Sequence, residues 1–384
     1  MRIERVNVYK TSIPFSVEFS HSVRKRLFAN NIVVEIIADN GEIKGYGEGA
    51  PRSYVTGETQ KSAASSIRKL IIESKFPWEL DNVSQIWDFV DSLPNVKGDN
   101  SAICALEMAL LDALVKQQDI TVIDYFPHDF YTDTVYYGVA IPLSSGKRMI
   151  EICRLIKKIG SNKLKLKMGN DFKKNRETIE TLCQILGDGY DIKVDVNGTW
   201  DYDLASVHIP ILEKHKVSVL EQPMMPDDPG IAEFVQSIKK SDIILMADES
   251  ACSMEDVKRL VKDGYYKMIN VRLSKCGGFR RSLRIIDYLR SNGFSFQIGC
   301  QLGETGLLSA AGRALSLLCG DAIYHDGSYD EYLLKENITS ENVSFGSGGK
   351  AGPLDGPGLG VKVNSVNLER LSDLSSRITI RKPK

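Results

Sequence analysis

Short apolar runs alternate with longer amphipathic segments from about residue 135 onward, and this alternation restricts the possible folds more than any other feature of the chain. The pattern predicts strands at the apolar runs and helices between them. Strands that alternate with helices usually form a parallel sheet, because each helix carries the chain back to the starting edge. The seven clear strand-like runs are residues 136–141, 163–167, 192–196, 218–221, 243–248, 267–273 and 294–299.

A weaker eighth run lies at residues 322–326, with the sequence AIYHD. Eight strands with intervening helices favour a closed barrel over an open sheet. We therefore predict an α/β protein whose catalytic domain is a (β/α)8-type barrel over residues 131–354. The Gly- and Pro-rich run at 346–360 lacks the strand and helix of a nucleotide-binding loop, so it is predicted to be a plain loop.

The first 130 residues have a different pattern, that of an α+β unit. Two strand-like stretches come first, and the second is interrupted by Asn40-Gly41, a pair typical of hairpin turns. Helical patterns follow at 57–74 and 101–118. We predict that residues 1–130 form an N-terminal capping domain and that the C-terminal segment 355–384 returns to join it.

Composition argues against several classes of function. The formal net charge of −1 provides no attraction for nucleic acid or for an acidic membrane surface. No window approaches the roughly 18 consecutive apolar residues of a membrane span, and the N-terminus lacks a signal-peptide pattern. The seven cysteines are scattered without a CxxC pair, which favours free thiols in a reducing compartment. We expect a cytoplasmic protein that binds neither nucleic acid nor membranes.

Five charged residues lie at the ends of successive predicted strands, where barrels of this type carry out their chemistry. They are Lys167, Asp195, Glu221, Asp248 and Arg272, separated by 28, 26, 27 and 24 residues. Each separation is close to the length of one strand and helix unit. The spacing therefore predicts that these side chains point into one mouth of the barrel.

The three acids of this set, Asp195, Glu221 and Asp248, would repel one another strongly unless a cation neutralised them. Oxygen ligands without His or Cys select a hard ion, and Mg²⁺ suits a site that keeps room for water and substrate. The alternative is that each acid only caps the helix that follows it. Three acids in consecutive units favour the metal site.

A lysine beside such a metal can act as a base. Lys165 and Lys167 alternate in KLKLK at 163–167, and both burial and a nearby cation are expected to lower the pKa of a lysine amine. A lysine with a lowered pKa serves as a general base at neutral pH. Mg²⁺ on a substrate carboxylate acidifies the α-proton, because it stabilises the developing enediolate. The alternative, a solvated edge strand, fits less well with the glycine and helix that follow.

As a set, these residues resemble the enolase superfamily, and within it the branch of muconate lactonizing enzymes and dipeptide epimerases. The resemblance covers nearly the whole chain and rests on KxK at 165–167, VDxN at 194–197, EQP at 221–223, ADES at 247–250 and KxGG at 275–278. It implies that Lys167 transfers the proton, that Lys165 helps to hold the enediolate, and that the three acids bind Mg²⁺.

The resemblance also assigns supporting roles. It implies that Asn197 and Glu249 lie behind the metal ligands and support them, that Glu304 forms a hydrogen bond near the active site, and that the protein is a homo-oligomer. Loops of the capping domain are implied to select the substrate. Four residues suit this role, namely His21, Arg24, Arg26 and Tyr54. The first three are expected to bind a distal carboxylate of the substrate. A solvated surface loop is an equally good interpretation of segment 20–26.

One position departs from the pattern of this branch. Where the sixth strand usually presents a second lysine, on the opposite face of the substrate, this chain has Arg272. Arginine stays protonated, so it suits electrostatic stabilisation and is a poor base. Lys275 follows with the opposite strand parity and is a poor substitute. A one-base route is therefore favoured over epimerisation by two opposed bases.

These features predict a Mg²⁺-dependent enzyme that removes the proton α to a carboxylate and gives a metal-stabilised enediolate. The favoured outcome is an isomerase, of cycloisomerase or epimerase type, that acts on a small carboxylate. One alternative is an acid dehydratase or another β-eliminating lyase of the same superfamily. Another is a binding protein on a retired enzyme scaffold, which Arg272 suggests. The acidic stretch DGSYD at 326–330 is a candidate for binding a substrate amino group.

Overall fold

The computed structural model describes residues 1–20, 25–95, 97–144 and 146–383. In chain order the strands are β1 Ile3–Ser20, β2 Lys25–Ala38, β3 Ile43–Gly49, β4 Val135–Tyr136, β5 Val139–Ile141, β6 Lys163–Lys167, β7 Asp191–Asp195, β8 Val219–Glu221, β9 Ile244–Ala247, β10 Met268–Val271, β11 Ser295–Ile298, β12 Tyr324–His325, β13 Lys350–Ala351 and β14 Ile378–Arg381. The helices are α1 Gln60–Glu73, α2 Val83–Ser92, α3 Asn100–Gln117, α4 Gly146–Ile159, α5 Phe172–Leu186, α6 Tyr202–Lys214, α7 Gly230–Ser237, α8 Met254–Asp263, α9 Leu273–Cys276, α10 Phe279–Ser291, α11 Gly306–Leu318, α12 Asp330–Leu333 and α13 Ser365–Arg370.

The N-terminal sheet is antiparallel and has the strand order β14-β1-β2-β3. Helix α3 lies directly on β3, because Gly45, Gly47 and Gly49 leave no side chain between them. A Cβ atom at any of these glycines would overlap the backbone of α3. Strand β14 pairs with β1, with Arg5 opposite Arg381, so the C-terminal segment returns to this sheet.

Strands β5 to β12 form the second sheet, in which each strand is parallel to its neighbours and follows chain order. The two end strands meet, since Tyr137 forms a parallel bridge with His325 and Gly138 N donates to the His325 carbonyl at 2.9 Å. The helices between successive strands complete the repeats. The predicted α/β fold with a (β/α)8-type barrel is confirmed, and the weak eighth strand is β12.

The exact domain limits at 130/131 and 354/355 stay predictions. Strands β1 to β3 precede the first limit, and β14, which joins their sheet, follows the second. None of the helices within the described ranges combines the length and the apolar character that a membrane crossing requires.

Two buried glutamates of the N-terminal unit bind the N-termini of barrel helices. Glu107 on α3 accepts a hydrogen bond from Arg280 N at 2.8 Å, in the first turn of α10. Glu48 at the end of β3 accepts one from Leu308 N at 2.9 Å, in the first turn of α11. Gly278 is required beside Glu107, because its φ is +97° and a Cβ there would overlap the carboxylate. Helix N-termini offer unpaired N–H groups to anions, so these acids fasten the cap to the barrel.

Replacing Glu107 with Ala is expected to lower the free energy of unfolding by about 1–3 kcal/mol, because buried N–H groups of α10 lose their acceptor. Urea denaturation followed by circular dichroism measures the change. The matched control is Glu73→Ala at the exposed end of α1, which should change the unfolding free energy by less than about 0.5 kcal/mol. Equal losses in the two variants would contradict the docking role of Glu107.

Candidate active site

The strand register brings the predicted charged residues side by side. Lys167 lies opposite Asp195 on the next strand, and Asp195 lies opposite Glu221 on the one after. Asp248 and Arg272 follow directly after the last residues of β9 and β10. Because the carboxyl ends of parallel strands share one rim, all five residues belong to the same mouth of the barrel.

Lys165 and Lys167 approach the first two acids from β6. Lys165 Nζ lies 2.7 Å from Glu221 Oε2 and 3.8 Å from Asp195 Oδ2. Lys167 Nζ donates hydrogen bonds to Asp195 Oδ2 at 2.6 Å and to Asn197 Oδ1 at 2.9 Å. Alternate residues of a strand point to the same face, so both lysines of the KxK pair face the acids.

Arg272 and Lys275 hold the third acid. The Arg272 guanidinium contacts Asp248 Oδ2, lies 3.6 Å from Glu221 Oε1 and donates to Gln301 Oε1 at 3.0 Å. Lys275, on the short helix α9, donates to Asp248 Oδ1 at 3.1 Å and to the Asp248 carbonyl at 2.7 Å. Lys275 is fully buried, so its ammonium group orients Asp248, and it does not line the cavity at this mouth.

The contacts form a buried row of alternating charges in the order Asp195, Lys165, Glu221, Arg272 and Asp248, which we call the charge row. Burial raises the pKa of Glu221, and the negative charges of Asp195 and Asp248 raise it further. Burial also acts to raise the pKa of Asp195, but the adjacent lysines hold it below its usual range. The acids therefore lie close enough to repel one another, and the interleaved cations neutralise them.

The three acids fit a hard divalent ion by the chemistry of their donors. Among the described residues, no three His, Cys, Asp or Glu side chains are grouped in a way that would hold a metal ion. Neighbouring acids instead share one cation each, so the three follow one another along the charge row. Glu249 adds a buried Oε2 atom that has no hydrogen-bond partner in the described part of the chain. By their chemistry, the oxygen-only donors of these acids suit Mg²⁺, and Lys165 and Arg272 lie between them in the charge row.

The pKa of Lys165 is shifted in the direction opposite to the one expected from the sequence. Burial acts to lower it, but Asp326, Glu221 and Asp195 raise it well above its usual value. These acids lie only 2.7–3.8 Å from the ammonium group. Here three close carboxylates outweigh burial. The expectation of a lowered pKa was made for a lysine beside a bound cation, and for that state it stays a prediction.

A second polar cluster inside the barrel was not predicted from the sequence. Asp326 Oδ2 lies 2.9 Å from Lys165 Nζ and 3.1 Å from Lys193 Nζ, and Lys193 also contacts Gln297 on β11. Lys193 lies two residues before Asp195 on the same strand, so the two side chains point to the same face. This spacing in the sequence was sufficient to place Lys193 in the barrel interior. Asp326 lies in the stretch suggested for a substrate amino group, but its carboxylate already has two lysine partners.

A cavity of about 450 Å³ opens onto the charge row. Its polar lining includes Lys167, Asn197 and Glu304. Tyr54 of the N-terminal unit also lines the cavity, and its substrate-binding role stays a prediction. Burial raises the pKa of Glu304 to about 8, and its carboxyl group accepts a hydrogen bond from Gln301 N at 2.6 Å. The apolar lining comes mainly from α4 and the segment after β12, although α4 also contributes the charged Arg148 and Glu151. The apolar residues are Ile152, Leu155, Ile156, Ile159, Leu333 and Phe345.

The remaining predicted substrate residues lie in or next to the part of the chain that is not described. His21 and Arg24 lie outside the described residues. Arg26 lies on β2 opposite Phe19, but its side chain also lies outside the described part. The roles assigned to these three residues stay predictions.

Two family models match the chain and together cover most of its length. Residues 3–126 match the mandelate racemase / muconate lactonizing enzyme N-terminal domain, and residues 148–366 match the enolase C-terminal domain-like model. The chain belongs to the mandelate racemase / muconate lactonizing enzyme family of the enolase superfamily. The resemblance found in the sequence is confirmed.

Particular relatives are enzymes with different reactions. A hydrophobic dipeptide epimerase of Enterococcus faecalis is 26% identical over 318 residues, 81% of this chain and 86% of that protein. The o-succinylbenzoate synthase of Bacillus subtilis is 26% identical over 369 residues, 95% of each protein. A solved structure of a dipeptide epimerase from Cytophaga hutchinsonii, complexed with Mg and the dipeptide D-Ala-L-Val, has a TM-score of 0.85 at 22% identity, covering 99% of this chain and 100% of that one.

These findings confirm the prediction of an enzyme of the isomerase or lyase type, and the relatives that are epimerases and racemases favour an isomerase. The alternative of a retired binding protein is not favoured, because the matched relatives are named as enzymes.

Replacing Asp326 with Asn is expected to lower the free energy of unfolding by about 3–5 kcal/mol, because Lys193 is left as an uncompensated buried charge. Adding Lys193→Met to this variant should recover part of the loss, since the unpaired charge is then removed. Chemical denaturation of the single and double variants measures both effects. A double variant less stable than Asp326→Asn would show that Lys193 stabilises the barrel by other contacts.

Proposed function

We propose that this chain is a Mg²⁺-dependent isomerase that moves the proton α to a carboxylate of a small substrate. The observation that carries this proposal is the position of Lys167. Its Nζ is hydrogen-bonded to Asp195 and Asn197, and the side chain remains 19% exposed at the cavity that opens onto the charge row. A lysine in this position can reach a carbon-bound proton and still be oriented by fixed neighbours.

The residues proposed to hold the metal are Asp195, Glu221 and Asp248. Asn197 supports two groups at once, because its N–H donates to Asp195 at 3.0 Å and its side chain donates to Glu249 at 3.0 Å. Once bound, Mg²⁺ would supply the positive charge that acidifies the α-proton and stabilises the enediolate. The Mg in the related dipeptide epimerase structure supports this choice of ion.

Lys165 is proposed to act as a fixed cation. Burial would lower its pKa, but the acids around it raise the pKa well above the usual value, so the ammonium form persists at neutral pH. A permanent positive charge beside the substrate carboxylate favours the enediolate, in which negative charge grows on the carboxylate oxygens. Lys165 therefore stabilises the intermediate, and Lys167 transfers the proton.

Arg272 is proposed to act by charge and not by proton transfer. Burial would lower its pKa, but Asp248 and the other acids raise it well above an already high value. It cannot remove a proton from the face opposite Lys167, which leaves one base for the reaction. A cycloisomerase, which needs proton transfer on one face only, agrees with this arrangement better than an epimerase.

The shape and charge of the cavity support a particular class of substrate. Its polar end suits a carboxylate, and its apolar end, formed mainly by α4, suits a hydrocarbon arm. Asp326 is neutralised by Lys165 and Lys193, so it offers no free carboxylate to a substrate ammonium group. We therefore favour a small carboxylic acid with an apolar arm and without a free amino group near the reacting carbon.

The proposal includes a cytoplasmic location and a homo-oligomeric state, the latter implied by the family resemblance. All seven cysteines are free thiols, which agrees with a reducing compartment.

Replacing Lys167 with Ala is expected to reduce exchange of the substrate α-proton with solvent deuterium by at least about 10²-fold, since the proton-transferring group is lost. A panel of carboxylic acids, including muconates, N-acyl amino acids, dipeptides and acid sugars, is incubated with the protein and Mg²⁺ in D₂O and followed by NMR. Lys163→Ala is the matched control, because Lys163 lies on the same strand but bonds to the Ile323 carbonyl at its other end. Full exchange by Lys167→Ala would remove Lys167 from this role.

Mg²⁺ binding is measured by calorimetry for Lys167→Ala and for Asp248→Asn. This measurement separates a variant that has lost the proton-transferring group from one that no longer binds the metal. Lys167→Ala should retain Mg²⁺ binding, and Asp248→Asn should weaken it by about tenfold or more, because a charged ligand is lost. Unchanged Mg²⁺ affinity in Asp248→Asn would contradict the proposed ligand set.

The one-base mechanism predicts that only one enantiomer of a chiral substrate exchanges its α-proton, because Lys167 reaches one face of the carbon. Arg272→Lys places an amine on the other side and is expected to allow exchange of the second enantiomer. Exchange of both enantiomers by the unmodified protein would contradict the assignment of a single base.

A further inference from the structure

A second polar cleft lies in the N-terminal unit, on the face of the sheet that points away from α1–α3. Its volume is about 780 Å³, and it shares no lining residue with the cavity at the charge row. Strands β1, β2, β3 and β14 and helix α13 all contribute to its walls. Nothing in the proposed function uses this cleft.

Three cations cross this face in one row. Arg381 on β14 lies opposite Arg5 on β1, Arg5 lies opposite Ile37 on β2, and Ile37 lies opposite Lys44 on β3. All four residues line the cleft. Like charges directly opposite each other on antiparallel strands destabilise the pairing. Arg5 is half-buried and Arg381 and Lys44 are exposed, so solvent screens part of this repulsion. An anion between the two guanidinium groups would remove the rest.

The protein itself supplies no such anion in the described part of the chain. Arg5, Arg381 and Lys44 form no ion pair with a described residue, and the buried Nε of Arg5 has no hydrogen-bond partner there. A buried guanidinium nitrogen without an acceptor is costly. This orphaned donor is a second, independent sign that a ligand belongs in the cleft.

The single acid on the floor of the cleft offsets only one of these three positive charges and, in the described structure, forms no ion pair with any of them. Glu35 is buried and accepts hydrogen bonds from Asn7 at 2.8 Å, Tyr9 at 3.0 Å and Tyr46 at 2.9 Å, all of them uncharged donors. Three unpaired cations against this one acid leave an excess of two positive charges. The other charged residues of the cleft, Arg377 and Glu369, lie 3.9 Å apart and compensate each other.

We propose that this cleft binds a small dianion, either a phosphate group or a dicarboxylate, between Arg5 and Arg381, with Lys44 as the third cation. Guanidinium groups match the paired oxygens of phosphate and carboxylate, which explains two arginines at adjacent positions. The charge of a dianion equals the excess in the cleft. The cleft shares no lining residue with the cavity at the charge row, so the ligand would be an effector of the N-terminal unit and not a substrate.

The anion would join β14 to β1 and thereby fasten the C-terminal segment to the sheet. Inorganic phosphate and succinate are the probes, each titrated by calorimetry into the full-length protein at constant ionic strength. Chloride serves as the reference anion. Saturating binding of either probe, with a rise in the thermal unfolding midpoint, is the expected result. The probe that binds more tightly shows whether the ligand is a phosphate or a dicarboxylate.

The double variant Arg5→Gln/Arg381→Gln is expected to weaken binding of the preferred probe by about tenfold or more, because two charged hydrogen-bond donors are lost. Arg68→Gln, an exposed arginine on helix α1, is the matched control and should bind like the unmodified protein. Without added anion the double variant should unfold at the same temperature as the unmodified protein or higher, because repulsion between the two arginines is relieved.

Equal binding by the double variant and the unmodified protein would overturn the proposal. The proposal would also be overturned if the unmodified protein bound neither phosphate nor succinate. A change in oligomeric state of the double variant, measured by light scattering with no change in probe binding, would also overturn it. That result would assign the row of cations to a contact between copies of the chain.

Discussion

Neutralisation of three buried acids is the constraint on which the barrel mouth depends. Carboxylates excluded from water are unfavourable without partners, and the charge row supplies a cation between each neighbouring pair. The same cations have a second use, because Lys165 and Arg272 also line the cavity where a substrate carboxylate would lie. The groups that stabilise the folded barrel are therefore those proposed to stabilise the reaction intermediate.

The N-terminal unit reaches this row through the loop after β11. Asn31 donates to the Gly303 carbonyl at 2.7 Å, and the same amide donates to Glu48, which binds the start of α11. This loop also contains Gln301, whose side chain accepts the hydrogen bond of Arg272. The cap thus does more than cover the mouth, since its contacts fix the loop that orients the cation proposed to replace the usual second lysine.

In the proposed mechanism, Arg272 separates this chain from a two-base enzyme while preserving the electrostatics of the mouth. A lysine and an arginine carry the same charge, but only the lysine can lose a proton near neutral pH. The acids that surround Arg272 strengthen this difference. Burial acts to lower the pKa of Arg272, but the acids outweigh burial and raise the pKa well above its usual value. A family that moves α-protons can thus change from two-sided to one-sided proton transfer by a single substitution that leaves the charge balance intact.

The sequence by itself determined the barrel, the family and the strand ends, because regular repeats and strand parity fix which residues reach the mouth. It did not reveal that Asp326 neutralises Lys165 and Lys193, or that Lys275 orients Asp248. The contacts of Asp326 exist because the barrel closes and brings the end of β12 beside β5 to β7. The contact of Lys275 with Asp248 depends on the short helix α9, which re-aims the lysine towards the neighbouring strand end. The tertiary structure also raises the pKa of Lys165, because this shift depends on the distances from its ammonium group to three acids. Sequence spacing alone does not specify those distances.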